Sequence, residues 1–263
     1  MDETQPQFLD VGSGPDRRRI AYLRQPTQHA EKPSLVFLSG FKSEMRAIKA
    51  GAVSKWAQER GVGCLRFDYS GHGQSEGKFE DGTVSRWLEE TQAVFRHLTQ
   101  GPQVLIGSSM GGHIALLLLR ELLAEAPDGA QRIRGLVLIA PAWNLTELMW
   151  NNLPTSARRE IEEKGVYLRP SRYEDGPYPI TAKLIEDGRR HLLGNAPFDP
   201  GRPVHILHGL QDPDVPWEHT LDLAALLSGD WTQVAAVPDG EHRLSRPQDI
   251  ALLLDIIGGL VER

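Results

Sequence analysis

The fold is decided by residues 104–119, which read VLIGSSMGGHIALLLL. The first three residues are apolar without alternation, as in a strand that is buried on both faces of a parallel sheet. An apolar helical pattern follows over residues 112–123, and the two are joined by the G-x-S-x-G sequence GSSMG at residues 107–111. In that context the central serine occupies a sharp strand-to-helix turn that exposes its hydroxyl. The pattern therefore predicts that Ser109 is a nucleophile, whereas Ser108 packs inward.

The same alternation of strand and helix extends outward in both directions. Short apolar runs predict strands at 34–38, 63–67, 104–106, 135–139, 204–207 and 231–237, and 3.6-residue periodicity predicts helices at 47–59, 84–98, 112–123, 218–227 and 247–260. This order is typical of an α/β fold with a mostly parallel, doubly wound sheet. Residues 8–11 and 19–23 are expected to add antiparallel strands at one edge. We expect one domain over residues 1–263.

Residues 142–198, called the insertion here, interrupt this order. They contain several prolines and glycines, and helical patterns at 145–151, 156–164 and 181–192, but no run that resembles a strand. A segment inserted after a strand end lies above the carboxyl edge of the sheet, where ligands bind in open α/β folds. We expect the insertion to be a helical lid.

Composition excludes several classes of function. The net charge of −6 argues against sequence-independent binding to nucleic acid. A single cysteine, Cys64, rules out an intrachain disulfide and is expected to be a small buried residue. The apolar runs are too short, or too interrupted by charge, to predict a membrane span. No metal or other cofactor is predicted, and the acidic, polar N-terminal sequence predicts a cytoplasmic protein.

A serine hydroxyl needs a base that removes its proton and a carboxylate that orients the base. In folds with this turn, the acid and then the histidine follow the serine along the chain. Asp212 comes after the predicted strand 204–207, and His242 comes after the strand 231–237. We predict these two residues as the partners of Ser109, with Asp214 as the alternative acid.

The other histidines have structural interpretations. His113 follows the turn and is expected to pack beneath it, and His205 lies within a strand. His208 ends that strand and is expected to shape the acid loop. His72 belongs to the glycine-rich turn DYSGHGQS at residues 68–75, which we expect to border the site.

The oxyanion that forms during acyl transfer needs backbone N–H donors. One is expected from Met110, the residue after the nucleophile, and the other from the loop after strand 34–38. In that loop we choose Phe41, because Gly40 allows a tight turn just before it.

Taken together, VFLSGFKSEMRAIKA, CLRFDYSGHGQSEG, VLIGSSMGGHIALLLL, HGLQDPDVPWEHT and DGEHRLSRPQDI resemble the α/β-hydrolase superfamily. Within it, the sequence is most similar to the mitochondrial α/β-hydrolase domain-containing protein 10 group, from about residue 33 to residue 260. The resemblance implies thioester cleavage on palmitoylated proteins and ester cleavage of acyl glucuronides. It also implies that Ser109, Asp212 and His242 form the triad. The chain departs from the pattern in one respect, because it has Ser39-Gly40 where many relatives in the wider superfamily have His-Gly. We also expect the protein to lack a mitochondrial presequence.

The expected substrate is a small ester or thioester, or an acylated protein. Among the large apolar residues of the insertion, we predict Trp143, Leu148 and Trp150 to contact an acyl chain, and Arg169 or Arg172 to pair with a carboxylate on the leaving group. A cofactor-free haloperoxidase or perhydrolase shares the triad and remains an alternative. A non-catalytic binding module is a second alternative, and it would have a broken triad. Enzymes of this fold with an aspartate nucleophile are less favoured, because position 109 is serine.

Overall fold

A computed structural model describes residues 5–170, 176–194 and 196–262. Ten strands are present in this part of the chain: β1 (Gln7–Val11), β2 (Arg18–Gln25), β3 (Ser34–Leu38), β4 (Cys64–Phe67), β5 (Gln103–Ser108), β6 (Ile133–Ile139), β7 (Val166–Arg169), β8 (Tyr178–Thr181), β9 (Val204–Gly209) and β10 (Thr232–Val237). The helices are α1 (Ile48–Glu59), α2 (Val84–Leu98), α3 (Met110–Glu125), α4 (Pro127–Gln131), α5 (Leu145–Asn152), α6 (Thr155–Lys164), α7 (Ala182–Gly188), α8 (Trp217–Leu226) and α9 (Pro247–Val261). Short 3-10 turns lie at Gly14–Asp16, Phe79–Asp81 and Arg189–His191.

Eight of the strands form one sheet in the order β1-β2-β4-β3-β5-β6-β9-β10. β1 and β2 pair antiparallel at one edge, and β2 pairs antiparallel with β4. All other pairs in this sheet are parallel. This arrangement confirms the predicted α/β-hydrolase fold. β5, which leads directly into Ser109, lies near the middle of the sheet.

The core lies on both faces of the sheet, which explains why the central strands are apolar without alternation. On β3, Val36 and Leu38 join one buried cluster, while Leu35 and Phe37 join the other. Successive side chains of a strand point to opposite faces, so both faces must be covered by helices. Residues of α2 and α3 pack in the first cluster, and residues of α1 and α9 pack in the second. Cys64 is buried in the second cluster, as predicted.

The insertion contains a feature that the sequence analysis missed. β7 and β8 pair antiparallel in a separate two-stranded sheet, so the prediction of no strand between residues 142 and 198 is wrong. Each strand has only four residues, and β8 contains Pro179, which normally argues against a strand. The three helical patterns correspond to α5, α6 and α7, the last extended by the turn Arg189–His191. The lid role of the insertion stays a prediction.

Two boundaries near the serine also differ from the prediction. β5 runs from Gln103 to Ser108, and α3 begins at Met110 rather than at residue 112. Only Ser109 separates the strand from the helix, so the chain turns sharply at this residue. Among the described residues, each helix is too short or too polar to cross a membrane.

Candidate active site

Ser109 has a backbone conformation that a residue with a side chain rarely adopts, with φ 52° and ψ −115°. Such a conformation costs on the order of 1–3 kcal/mol and persists only where neighbours impose it. The Ser109 N–H donates to the carbonyl oxygen of Ile139 at 2.8 Å, and its own carbonyl accepts from Gly112 at 2.9 Å and from Ala142 at 3.2 Å. These bonds to β6, α3 and the start of the insertion hold the turn in place.

Two glycines allow the strand, the helix and a neighbouring strand to meet at this turn. A Cβ atom on Gly107 would lie 2.5 Å from the carbonyl oxygen of Gly111. A Cβ atom on Gly111 would overlap the carbonyl oxygen of Leu38, at the end of β3. Because both obstacles are backbone atoms, neither can move aside easily. The glycines of G-x-S-x-G are therefore required by close packing on two sides.

The structure brings the three predicted triad residues into one hydrogen-bonded chain. His242 Nε2 lies 3.0 Å from Ser109 Oγ, and His242 Nδ1 lies 2.7 Å from Asp212 Oδ2. An ionised carboxylate only accepts, so Nδ1 carries the proton and Nε2 is left as the acceptor for the serine hydroxyl. The Asp212 side chain is fully buried, while His242 is 17% exposed. This arrangement can move a proton away from Ser109.

Asp212 is held as an anion by its surroundings. Burial alone would raise the pKa of this carboxyl group, but the hydrogen bond and charge of His242 lower it, together with backbone N–H donors. Those donors are Asp214 at 2.8 Å and Val215 at 2.9 Å, both to Oδ1. The net effect lowers the pKa of Asp212, so it is ionised at neutral pH.

Asp214, the alternative acid, has a different contact. Its Oδ1 accepts a hydrogen bond from Arg169 at 3.3 Å, at the end of β7. Ligand atoms of Asp212, Asp214 and His242 lie within 4.8 Å of one another, so this group could also hold a metal ion. However, both oxygens of Asp212 already accept hydrogen bonds from His242 or the backbone. The contacts therefore favour Asp212 as the residue that orients His242.

Two buried histidines support the site without taking part in the hydrogen bonds between Asp212, His242 and Ser109. His208 lies against the carbonyl of Val215 through Nε2 at 3.1 Å and against Thr220 through Nδ1 at 2.8 Å, so it braces the acid loop as expected. His113 Nδ1 accepts the N–H of Asn144 at 3.3 Å, beneath the turn. Burial lowers the pKa of His113 to about 3. His205 is a partly buried residue of β9.

The loop after β3 lies directly against the serine turn. A Cβ atom on Gly40 would lie 3.3 Å from the carbonyl oxygen of Ser108 and 3.4 Å from Ser109 Cβ. Within the described residues, the N–H groups of Phe41 and Met110 donate no hydrogen bond. Met110 is the first residue of α3, where N–H groups have no partner inside the helix. Both predicted oxyanion donors therefore lack an acceptor among the described residues.

His72, which was expected to border the site, contacts the loop that carries Phe41. Its Nε2 lies 3.0 Å from the backbone nitrogen of Lys42. No local sequence signal links His72 to Lys42, 30 residues earlier in the chain. Only the tertiary packing of the two loops reveals this contact.

The predicted substrate residues of the insertion have varied surroundings. Trp143 is buried, and its Nε1 donates a hydrogen bond to the carbonyl oxygen of His219 at 2.7 Å. Its ring also stacks on the imidazole ring of His219, so Trp143 links the insertion to α8. Leu148 and Trp150 are partly buried against the core, and Arg158 and Arg189 each lie within 6 Å of the Trp150 ring. Arg169 lies 5.9 Å from the Tyr178 ring centre as well as against Asp214. Arg172 falls outside the described residues.

A cavity of about 770 Å³ lies apart from these residues, where the β1–β2 turn faces α2 and α7. Its lining is charged and includes two ion pairs: Arg18 with Glu89, and Arg190 with Asp187. None of the triad residues lines it. The geometry of the triad, rather than the size of this cavity, therefore locates the candidate site.

A strained serine between strand and helix, in contact with a histidine and a buried carboxylate, defines the class of α/β hydrolases. Comparison with known proteins agrees. The sequence model described as serine aminopeptidase, S33 matches residues 29–177, more than half of the chain. The chain therefore belongs to this family within the α/β-hydrolase superfamily.

Relatives match the chain over almost its whole length. The palmitoyl-protein thioesterase ABHD10, mitochondrial, of Homo sapiens is 31% identical over 260 residues, which cover 98% of this chain and 82% of the relative. A solved protein from Agrobacterium vitis S4 is 43% identical, with a TM-score of 0.93 and 98% coverage of both chains. The solved alpha/beta hydrolase domain-containing protein 10 from mouse is 32% identical, with a TM-score of 0.85 and coverage of 98% and 99%. The predicted resemblance is confirmed.

The comparison corrects the predicted location. Curated relatives that match most of the chain are named as mitochondrial, so the prediction of a cytoplasmic protein is wrong. That prediction depended on the composition of about ten N-terminal residues. Targeting segments are separate from the folded domain, so this composition could not decide the location.

Replacing Gly111 tests the close packing at the serine turn. Gly111→Ala is expected to reduce the free energy of unfolding by about 1–3 kcal/mol, because its Cβ meets a backbone carbonyl. The measurement is urea denaturation of the purified variant. Gly259→Ala is the matched control: Gly259 lies in α9 with nothing within 4 Å of an added Cβ, so alanine should stabilise the helix by up to about 1 kcal/mol. Equal effects of the two substitutions would contradict the packing argument.

Proposed function

We propose that the protein is a serine hydrolase that cleaves carboxylic esters or thioesters through an acyl-enzyme on Ser109. The observation that carries this proposal is the continuous hydrogen-bonded chain from Asp212 through His242 to the Ser109 hydroxyl. A hydroxyl is a weak nucleophile until a base takes its proton. Here the base is His242, whose Nδ1 proton is held by Asp212 so that Nε2 can accept the serine proton.

The reaction follows from the positions of these atoms. His242 Nε2 removes the proton from Ser109 Oγ as the oxygen attacks the carbonyl carbon of the substrate. The resulting imidazolium is stabilised by the Asp212 carboxylate, and it then donates its proton to the departing alcohol or thiol. Water, deprotonated by the same histidine, attacks the acyl-enzyme and releases the acid. Ser109 regains its proton at the end of the cycle.

The developing oxyanion is proposed to be bound by the N–H groups of Phe41 and Met110. The loop of Phe41 lies against Ser109, Met110 follows Ser109 in the sequence, and neither N–H donates to an acceptor among the described residues. Because they are fixed before the substrate arrives, they stabilise the transition state without reorganisation. The loss of one such donor typically costs about 100- to 1,000-fold in rate.

The substrate class is inferred from the relatives and from the insertion. Relatives are named palmitoyl-protein thioesterases, and the insertion carries Leu148 and Trp150, which are only partly buried. An apolar acyl chain gains about 0.8 kcal/mol for each methylene that it buries. We therefore propose long-chain acyl thioesters or esters as substrates. Arg169 is proposed to bind a leaving-group carboxylate, for which it would have to exchange its contact with Asp214.

The alternative functions are separated by their chemistry. A non-catalytic binding module would not need Ser109, His242 and Asp212 at hydrogen-bonding distance. The observed hydrogen bonds between these side chains therefore argue against that function. A haloperoxidase or perhydrolase would use the same triad but transfer the acyl group to hydrogen peroxide. Formation of peracid from an ester and peroxide would identify that activity.

Replacement of the serine tests the proposal directly. Ser109→Ala is expected to reduce the hydrolysis of p-nitrophenyl esters and of an acyl thioester by about 10⁴-fold or more, because it removes the hydroxyl that carries the acyl group in the proposed reaction. The circular dichroism spectrum should stay unchanged, since alanine fits where serine does. A folded Ser109→Ala variant with wild-type activity would refute the proposal.

A second pair of variants tests which carboxylate orients the histidine. Asp212→Asn should lower kcat by about 10⁴-fold, because an amide in place of the carboxylate favours the wrong tautomer of His242. Asp214→Asn should lower kcat less than about tenfold, because Asp214 contacts Arg169 rather than His242. Steady-state kinetics on one ester measures both. The reverse order of effects would assign the role to Asp214.

A further inference from the structure

We propose that His72 is a positioning residue for the oxyanion: its ring accepts the N–H of Lys42 and so fixes the loop that presents the N–H of Phe41. This inference rests on the proposed function, because it assigns a role in that reaction. The residues that flank His72 in the sequence DYSGHGQS do not by themselves predict this role.

The chemistry of the two ring nitrogens determines the direction of this contact. His72 Nδ1 lies 3.1 Å from the carbonyl oxygen of Ser70, and its Nε2 lies 3.0 Å from the backbone nitrogen of Lys42. A carbonyl oxygen only accepts, so Nδ1 must carry the proton. Nε2 is then an unprotonated acceptor that faces the N–H of Lys42. Burial lowers the pKa of His72 to about 4, so the ring is neutral and keeps this acceptor at pH 7.

The turn that His72 contacts also holds the predicted oxyanion donor. The Gly40 carbonyl accepts the N–H of Ser43 at 3.1 Å, which closes a four-residue turn. That carbonyl and the N–H of Phe41 belong to the same planar, trans peptide unit, so they point in opposite directions. The orientation of the Phe41 N–H is therefore set by the geometry of the turn.

Lys42 occupies the position of this turn that is hardest to maintain. Its φ is 57°, in the left-handed region that glycine or asparagine normally supplies at the third residue of such a turn. A lysine there is strained, and the turn would relax toward another conformation without an external restraint. The His72 acceptor is that restraint, because it binds the N–H of the strained residue itself.

His72 can act as a restraint because it is itself fixed. Its side chain is buried, and its ring contacts those of Phe79, Trp87 and Phe41, with centroid distances of 5.0, 5.6 and 6.5 Å. The same turn holds the loop at a second point, where Asp68 Oδ1 accepts the N–H of Met45 at 2.6 Å. Residues 68–75 thus form a rigid support beneath residues 40–45.

The test compares three variants of the full-length protein on one p-nitrophenyl ester. His72→Phe keeps a ring in the aromatic cluster but removes the acceptor. We expect it to lower kcat about 10- to 100-fold with KM changed less than about twofold, because the donor contributes mainly in the transition state. His72→Gln places an amide oxygen near the position of Nε2 and should recover at least about fivefold of the lost kcat. His97→Phe, at an exposed histidine of α2, is the control and should match wild type.

Several results would overturn the inference. They are a His72→Phe variant with wild-type kcat, a loss confined to KM, or a glutamine variant no better than phenylalanine at equal thermal stability. If His72→Phe does not fold, the comparison of His72→Gln with His72→Leu applies the same criterion. The nitrogen-15 chemical shifts of the His72 ring give a second readout, and a protonated Nε2 at pH 7 would contradict the inference. These outcomes are distinguishable from failure of the proposed function, in which Ser109→Ala itself would retain activity.

Discussion

The site depends on one constraint, the close approach of β5, α3 and β3 around a single strained residue. Ser109 alone separates the strand from the helix, and its positive φ is imposed by bonds to Ile139, Gly112 and Ala142. Gly107 and Gly111 permit that approach, because any Cβ atom there would meet backbone. A side chain on such a turn projects out of the sheet edge. The local strain is offset by the two buried clusters that the sheet organises.

The partners of Ser109, Asp212 and His242, lie on loops that follow β9 and β10. The acid loop is closed by hydrogen bonds from Asp214 and Val215 to Asp212, and His208 braces it from below through the carbonyl of Val215. The loop that holds Phe41 is supported in turn by the DYSGHGQS turn. Two loops of the candidate site, the acid loop and the loop with Phe41, are therefore each held by buried polar groups. This form of support explains why buried histidines and carboxylates surround a site in which only three side chains are proposed to react.

The sequence allowed prediction of the features that arise from local patterns. The central strands, the helix after Ser109, and the loop positions of Asp212 and His242 follow from apolar runs, period and chain order. The hairpin of β7 and β8 was missed because four-residue strands with a proline carry little local signal. Three contacts could also not be predicted: those of His72 with Lys42, of Trp143 with His219 and of Arg169 with Asp214. Each of these joins residues at least 30 positions apart, and only the completed fold determines which groups meet.

Contact with His242 is expected to make Ser109 more reactive than the other serines, and covalent labelling measures that reactivity. A second serine, Ser85, also contacts a histidine, with its Oγ 2.6 Å from His191 Nε2 and 2.7 Å from Asp187 Oδ1. Its proton is directed to the Asp187 carboxylate, so we expect it to stay inert. Treatment with a fluorophosphonate, followed by mass spectrometry of the peptides, should place one label on Ser109. A label on Ser85 or Ser108, or none on the folded protein, would show that the contact with His242 does not activate Ser109.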